Sequence, residues 1–247
     1  MRVVWEPYFA EDIVAALGAA VARDLGMGAI TRMWPDLRDR WNLMMHSLLL
    51  ARRPSISPDR EDSLARMCVV LAAYEAIARS GRASSLLMET SRIDTVLERV
   101  PATVVLDLLT LLDKFRGSSD QYLHPQSLVL NPTFTGAAIV GGADGDVILD
   151  SLIWDFKATL SPAKSSNNYW PYQVLGYGLL DLDDRYKLQG DGIYLVRQGA
   201  WISWSWPEMF ELLGANPDIG IKQWRRMLVA EVGRHSLRPG SRSRAIW

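Results

Sequence analysis

The residues able to do chemistry are concentrated in Gly141-Gly142-Ala143-Asp144-Gly145-Asp146-Val147-Ile148-Leu149-Asp150-Ser151-Leu152-Ile153-Trp154-Asp155-Phe156-Lys157. Two strands turning at Asp150-Ser151 set Asp146 opposite Asp155 and Asp144 opposite Lys157, and alternation gathers those four side chains on one face. Val147, Leu149, Leu152, Trp154 and Phe156 fall on the other face, the packed one. Like charges directly opposite on a sheet repel, and two close carboxylates either share a proton or bind a cation. Oxygen ligands of this kind suit Mg²⁺ or Mn²⁺. A lysine two residues along the strand can orient an attacking water and counter charge on a phosphate. Together these groups are equipped for metal-dependent phosphodiester hydrolysis. The blander reading is a solvated polar hairpin face with a surface salt bridge, and for Asp144 a rim acid paired with Lys157 is the favoured role.

Asp146 followed by Asp155-Phe156-Lys157 resembles the PD-(D/E)XK nuclease superfamily. The downstream Gln173-Val174-Leu175-Gly176-Tyr177 is similar to the Gln-x-x-x-Tyr motif of its RecB-like exonuclease branch, with Gln173 and Tyr177 at i and i+4 on one helix face. The resemblance extends over Phe134 to Val196. It implies that Asp146, Asp155 and the Phe156 carbonyl ligate the metal, that Lys157 positions the nucleophilic water, and that Gln173 and Tyr177 touch substrate or brace the site. The family often adds a glutamate from a preceding helix. Glu75, at i+4 from Leu71 and i+7 from Cys68, is the candidate, with a pairing to Arg79 as its structural alternative. Either Asp144 or Asp146 can serve as the first ligand; Asp146 is preferred because Val147-Ile148-Leu149 continues the strand directly from it. The proline that commonly precedes the first aspartate is missing.

The elements that must position these groups change character along the chain. Up to about residue 116 the pattern is helical: Ile13 to Leu25, Trp41 to Ala51, a central apolar helix from Ser57-Pro58 to Ser80-Gly81, and Pro101 to Phe115. A loop at Arg116 to Gln126 separates this lobe from segments that read as strands: Phe134 to Val140, Asp144 to Leu149, Leu152 to Lys157, Gly192 to Arg197 and Ala200 to Trp206. Helices are expected at Pro171 to Asp183, from Pro207 to Leu213, and at Ile219 to Val232. Trp170 is the tryptophan nearest the proposed site, while Trp201, Trp204 and Trp206 read as strand packing. The tail from Gly233, with Arg225 and Arg226 upstream, is arginine-rich and suited to phosphate contact or to solvation.

Composition bounds the possibilities. The chain has 247 residues, 49% hydrophobic and 22% charged, a globular balance. A net charge of −1 advertises no global affinity for nucleic acid, so such contact needs a local patch or a partner protein subunit. The single cysteine, Cys68, excludes a disulfide framework and the four-cysteine iron–sulfur cluster that some RecB-like relatives carry, and it fits a reducing cytoplasm. The three histidines, His46, His124 and His235, have no ligand spacing. No leader or membrane-spanning segment is expected.

The sequence therefore predicts an α/β protein: an N-terminal helical lobe (1–125), a mixed central β-sheet flanked by helices in a restriction-endonuclease-like core (126–232), and a basic tail (233–247). The expected activity is Mg²⁺- or Mn²⁺-dependent hydrolysis of DNA without a covalent intermediate. The alternative is a catalytically inactive nuclease-fold module that binds nucleic acid or a protein partner.

Overall fold

The computed structural model describes residues 58–80, 93–118, 125–162 and 169–236. The chain divides into two compact units between Lys114 and Phe115. The expected helices at 13–25 and 41–51, together with His46, His124 and residues 237–247, lie outside the described residues.

In the first unit, α1 spans Pro58–Ser80, with Asp59 and Glu61 in its first turn as its proline-led, acidic start requires. A short helix that the sequence did not reveal, α2 (Ile93–Arg99), follows. Arg66 of α1 donates to the carbonyls of Leu97 (3.2 Å) and Val100 (3.0 Å), satisfying backbone acceptors at the end of α2. Helix α3 (Ala102–Ser118) runs on through the start of the expected loop.

The second unit is built on one five-stranded sheet, in spatial order β1-β2-β3-β4-β5. Its strands are β1 (Leu128–Leu130), β2 (Val147–Leu149), β3 (Leu152–Lys157), β4 (Gly190–Leu195) and β5 (Ala200–Ser205), and every pairing is antiparallel except β3 with β4. The parallel pair requires a crossover, which contains α4 (Trp170–Leu180). Helix α5 (Trp206–Leu212) starts directly where β5 stops, under a capping box in which Glu208 accepts from the Ser205 amide and hydroxyl. Helix α6 (Ile221–Ser236) closes the described chain.

Apolar side chains cluster on both faces of the sheet. On one face Val147, Leu149 and Trp154 pack with Leu128, Leu130, Leu152, Phe156 and Trp201. Phe115, at the end of α3, meets the rings of Phe156, Tyr194 and Trp201 there. On the other face Ile148 and Ile153 join Phe134, Leu180, Trp206 and Phe210, while Ile193 and Leu195 join Val174 and Met209. The face that carries Asp155 and Lys157 is therefore roofed by helices.

The expected strand at Phe134 to Val140 is not formed. Ala137–Val140 is a 3-10 turn ended by Gly141 in the left-handed region, and the Gly136 amide donates to the Leu180 carbonyl at 2.9 Å. Of the segment from Asp144, only Val147–Leu149 is strand, with an isolated bridge between Asp144 and Thr133. Trp206 belongs to α5 and not to β5.

Candidate functional site

The hairpin register is the one on which the site depends. Val147 faces Trp154, Ile148 faces Ile153 and Leu149 faces Leu152. The turn residues Asp150 and Ser151 both have positive φ, 47° and 76°, as a two-residue turn matching the strand twist demands. Asp150 meets that cost locally, because its Oδ1 accepts from the amides of Gln126 (2.6 Å) and Ser127 (2.9 Å).

One residue beyond the β2–β3 ladder, Asp146 is fixed from two sides. Its carbonyl accepts from Asn131 at 2.9 Å, and its carboxylate Oδ2 accepts from the Phe156 amide at 2.7 Å. Asp146 is exposed, whereas Asp155 is only 4% exposed. Phe156 lies between the two site residues of β3, with its ring in the aromatic cluster on the opposite face.

From Asp155 a closed circuit of polar contacts runs between β3 and α4. Lys157 Nζ lies 2.6 Å from Asp155 Oδ2 and donates to Gln173 Oε1 at 2.7 Å. Gln173 Nε2 donates to the Tyr177 hydroxyl at 2.8 Å, and Tyr177 hydrogen-bonds back to Asp155. The i, i+4 spacing puts Gln173 and Tyr177 on the helix face that meets the strand. Phe134 stacks on Tyr177 with centroids 5.7 Å apart, and the Trp170 ring lies 5.9 Å from Lys157 Nζ, within cation–π range.

Burial raises the pKa of Asp155; the Lys157 ammonium and the Tyr177 hydrogen bond oppose that rise. Tyr177 is pushed up to about 12, chiefly by burial and then by the negative charges of Asp155, Asp146 and Asp144. Tyr177 thus keeps its proton at neutral pH and remains a donor.

Asp155 Oδ2 is buried and has no aligned hydrogen bond despite its ion contact with Lys157, so it retains acceptor capacity that a cation would use. Among the described residues no group of three or more His, Cys, Asp or Glu side chains is assembled for a metal. A cation here would draw on two carboxylates, a backbone carbonyl and water, a donor set that suits Mg²⁺.

The structure thus brings Asp146, Asp155, Lys157, Gln173 and Tyr177 together. Glu75 lies on α1 in the other unit, and its side chain is outside the described residues. Arg225, read as suited to phosphate contact or to solvation, is instead 3% exposed and internally committed. It donates to the Gly178 carbonyl (3.0 Å) and pairs with Asp184 (2.8 Å) and Asp181 (3.3 Å). Asp181-Leu182-Asp183-Asp184, an acidic turn directly after an apolar helix, was the sequence signal for that lock. The buried Asp191 gave no such signal. No family model matches the chain, and no curated protein or solved structure matches it. Among the described residues no helix is long and apolar enough to cross a membrane.

Proposed function

We propose that this protein is a metal-dependent deoxyribonuclease of the PD-(D/E)XK type, with a restriction-endonuclease-like core. The observation that supports this reading is the circuit Asp155–Lys157–Gln173–Tyr177, with Asp146 anchored one strand away on the Phe156 amide. Asp146, Asp155 and the Phe156 carbonyl would hold Mg²⁺ or Mn²⁺. Such an ion supplies Lewis-acid stabilisation of charge on the attacked phosphate and a lower pKa for water.

The chain's own groups do the rest. Lys157, held by Gln173 and Asp155, presents a fixed ammonium to the attacking water and to the phosphate. Tyr177 holds Gln173 and Asp155 in place. The half-buried Cys68 suits a reducing cytoplasm, where we place the activity, and the small net charge suits a partner subunit that helps hold DNA.

The test incubates the protein with linear, nicked and circular DNA in Mg²⁺, Mn²⁺ or EDTA, beside Asp155→Ala and Lys157→Ala. Cleavage is expected to require the metal and to fall by about 10²-fold or more in each variant. No cleavage by the wild type with either metal, or cleavage that persists in both variants, rejects the hydrolytic reading. The first result favours the inactive nucleic-acid-binding module.

A further inference from the structure

Among the described residues, the large apolar side chains left exposed include two aromatic rings, Tyr169 at 73% and Tyr172 at 57%. Both lie at the start of α4, the helix that supplies Gln173 and Tyr177 to the site. Tyr169 already has helical backbone angles (φ −89°, ψ −19°), so Tyr169, Tyr172 and Gln173 follow the i, i+3, i+4 spacing of a single helix face. Rings at that spacing are about 5–6 Å apart at their Cβ atoms, a separation that neighbouring bases of one strand can span. Between them Trp170 is half-buried, with its ring 5.9 Å from Lys157 Nζ. In the sequence from Phe156 through Leu180 there are two lysines, Lys164 and the Lys157 that pairs with Asp155, and no aspartate or glutamate.

We infer that Tyr169 and Tyr172 form a stacking platform for the unpaired bases of single-stranded DNA, which makes single strands or frayed ends the substrate class of the adjacent site. The inference rests on the nuclease reading for the identity of the polymer. The physical argument concerns access. In a duplex the base faces are covered by their neighbours, and only unpaired bases offer a π-face to an exposed ring. Each such stack is worth about 1–3 kcal/mol, is tolerant of sequence, and needs no base-edge hydrogen bonds. The platform would deliver the strand toward Lys157, whose ammonium faces the same end of the helix.

The test measures binding in EDTA, where no hydrolysis occurs, by the fluorescence anisotropy of labelled oligothymidylate and of a duplex sealed by hairpin loops at both ends. The wild type is expected to bind the single strand more tightly than the sealed duplex. The double variant Tyr169→Ala/Tyr172→Ala should lose at least about tenfold in affinity for the single strand. The double variant Tyr169→Phe/Tyr172→Phe should retain it, because the ring remains. Equal affinity of the wild type for both DNAs, or undiminished single-strand binding by the alanine variant, overturns the platform. A parallel incubation in Mg²⁺ separates the two claims. Tyrosine-dependent binding without cleavage rejects the hydrolysis and keeps the platform, whereas cleavage with tyrosine-independent binding rejects the platform alone.

Discussion

Tyr177 has a double duty that a sequence motif does not express. Its hydroxyl accepts from Gln173 at 2.8 Å and hydrogen-bonds to Asp155, so one oxygen joins the two halves of the site. Removing it in Tyr177→Phe keeps the ring stacked on Phe134 and deletes only the polar link. The Tyr177 hydrogen bond holds the Asp155 pKa down, so the substitution should raise it further. A carbon-detected titration of the Asp155 carboxyl would record that shift. The loss in folding stability should be about 1–3 kcal/mol, the net value of two hydrogen bonds. An unchanged Asp155 titration would mean that the hydroxyl does not reach the carboxylate. Gln173→Ala is the harsher change, because Gln173 both accepts from Lys157 and donates to Tyr177.

At the scale of the elements, the site depends on where α4 lies. Gly178 faces the ring of Trp206, and a Cβ there would fall well inside van der Waals contact, so the helix can approach the core only with glycine at this position. The other end of the clamp is Arg225 of α6, which grips the Gly178 carbonyl and the acidic turn after α4. Arg225→Ala would leave Asp181, which is fully buried, without its cation, and breaking such a pair costs about 3–5 kcal/mol. Urea denaturation should show a loss of that order; a loss below about 1 kcal/mol would mark the pair as no stronger than a surface contact. What was legible in the sequence follows from the same physics. The β2–β3 register could be read because Asp144, Asp146, Asp155 and Lys157 recur at alternate positions on the two sides of a two-residue turn, and a slip of one would bury Asp155 in the aromatic face. Phe134 to Val140 could not, since a short apolar run suits a buried strand or a helical turn equally. The contact of Gly136 with Leu180, distant in sequence, decides between them. β1 has three residues, too few for a periodic signal. The role of Arg225 was hidden because an arginine reads as solvent- or phosphate-facing until its buried acids are located.

For the molecule as a whole, the most consequential group is one that takes no part in the site. Asp191 lies in β4 between Ile153 and Trp204, at 0% exposure, and among the described residues neither of its carboxyl oxygens has a hydrogen-bond partner. Burial pushes its pKa up to about 8, against about 3.9 in an unfolded chain. Between those values the folded state keeps a proton that the unfolded state has released. Stability therefore falls as pH rises from about 4 to about 8, and levels off above that. Asp155 and Asp181 are raised as well and act in the same direction, while Asp184, held down by Arg225, Lys222 and Lys187, adds stability that is lost only in strong acid. Asp191→Asn separates the Asp191 contribution from the others, because the amide is close in shape to the protonated acid and does not titrate. The melting temperatures of variant and wild type should nearly coincide at pH 5 and diverge toward pH 8, with the variant higher by several degrees, since about 1 kcal/mol moves a chain of this size by about 2–4 °C. Curves that stay parallel across that range would mean that Asp191 ionises as readily in the folded protein as in the unfolded one.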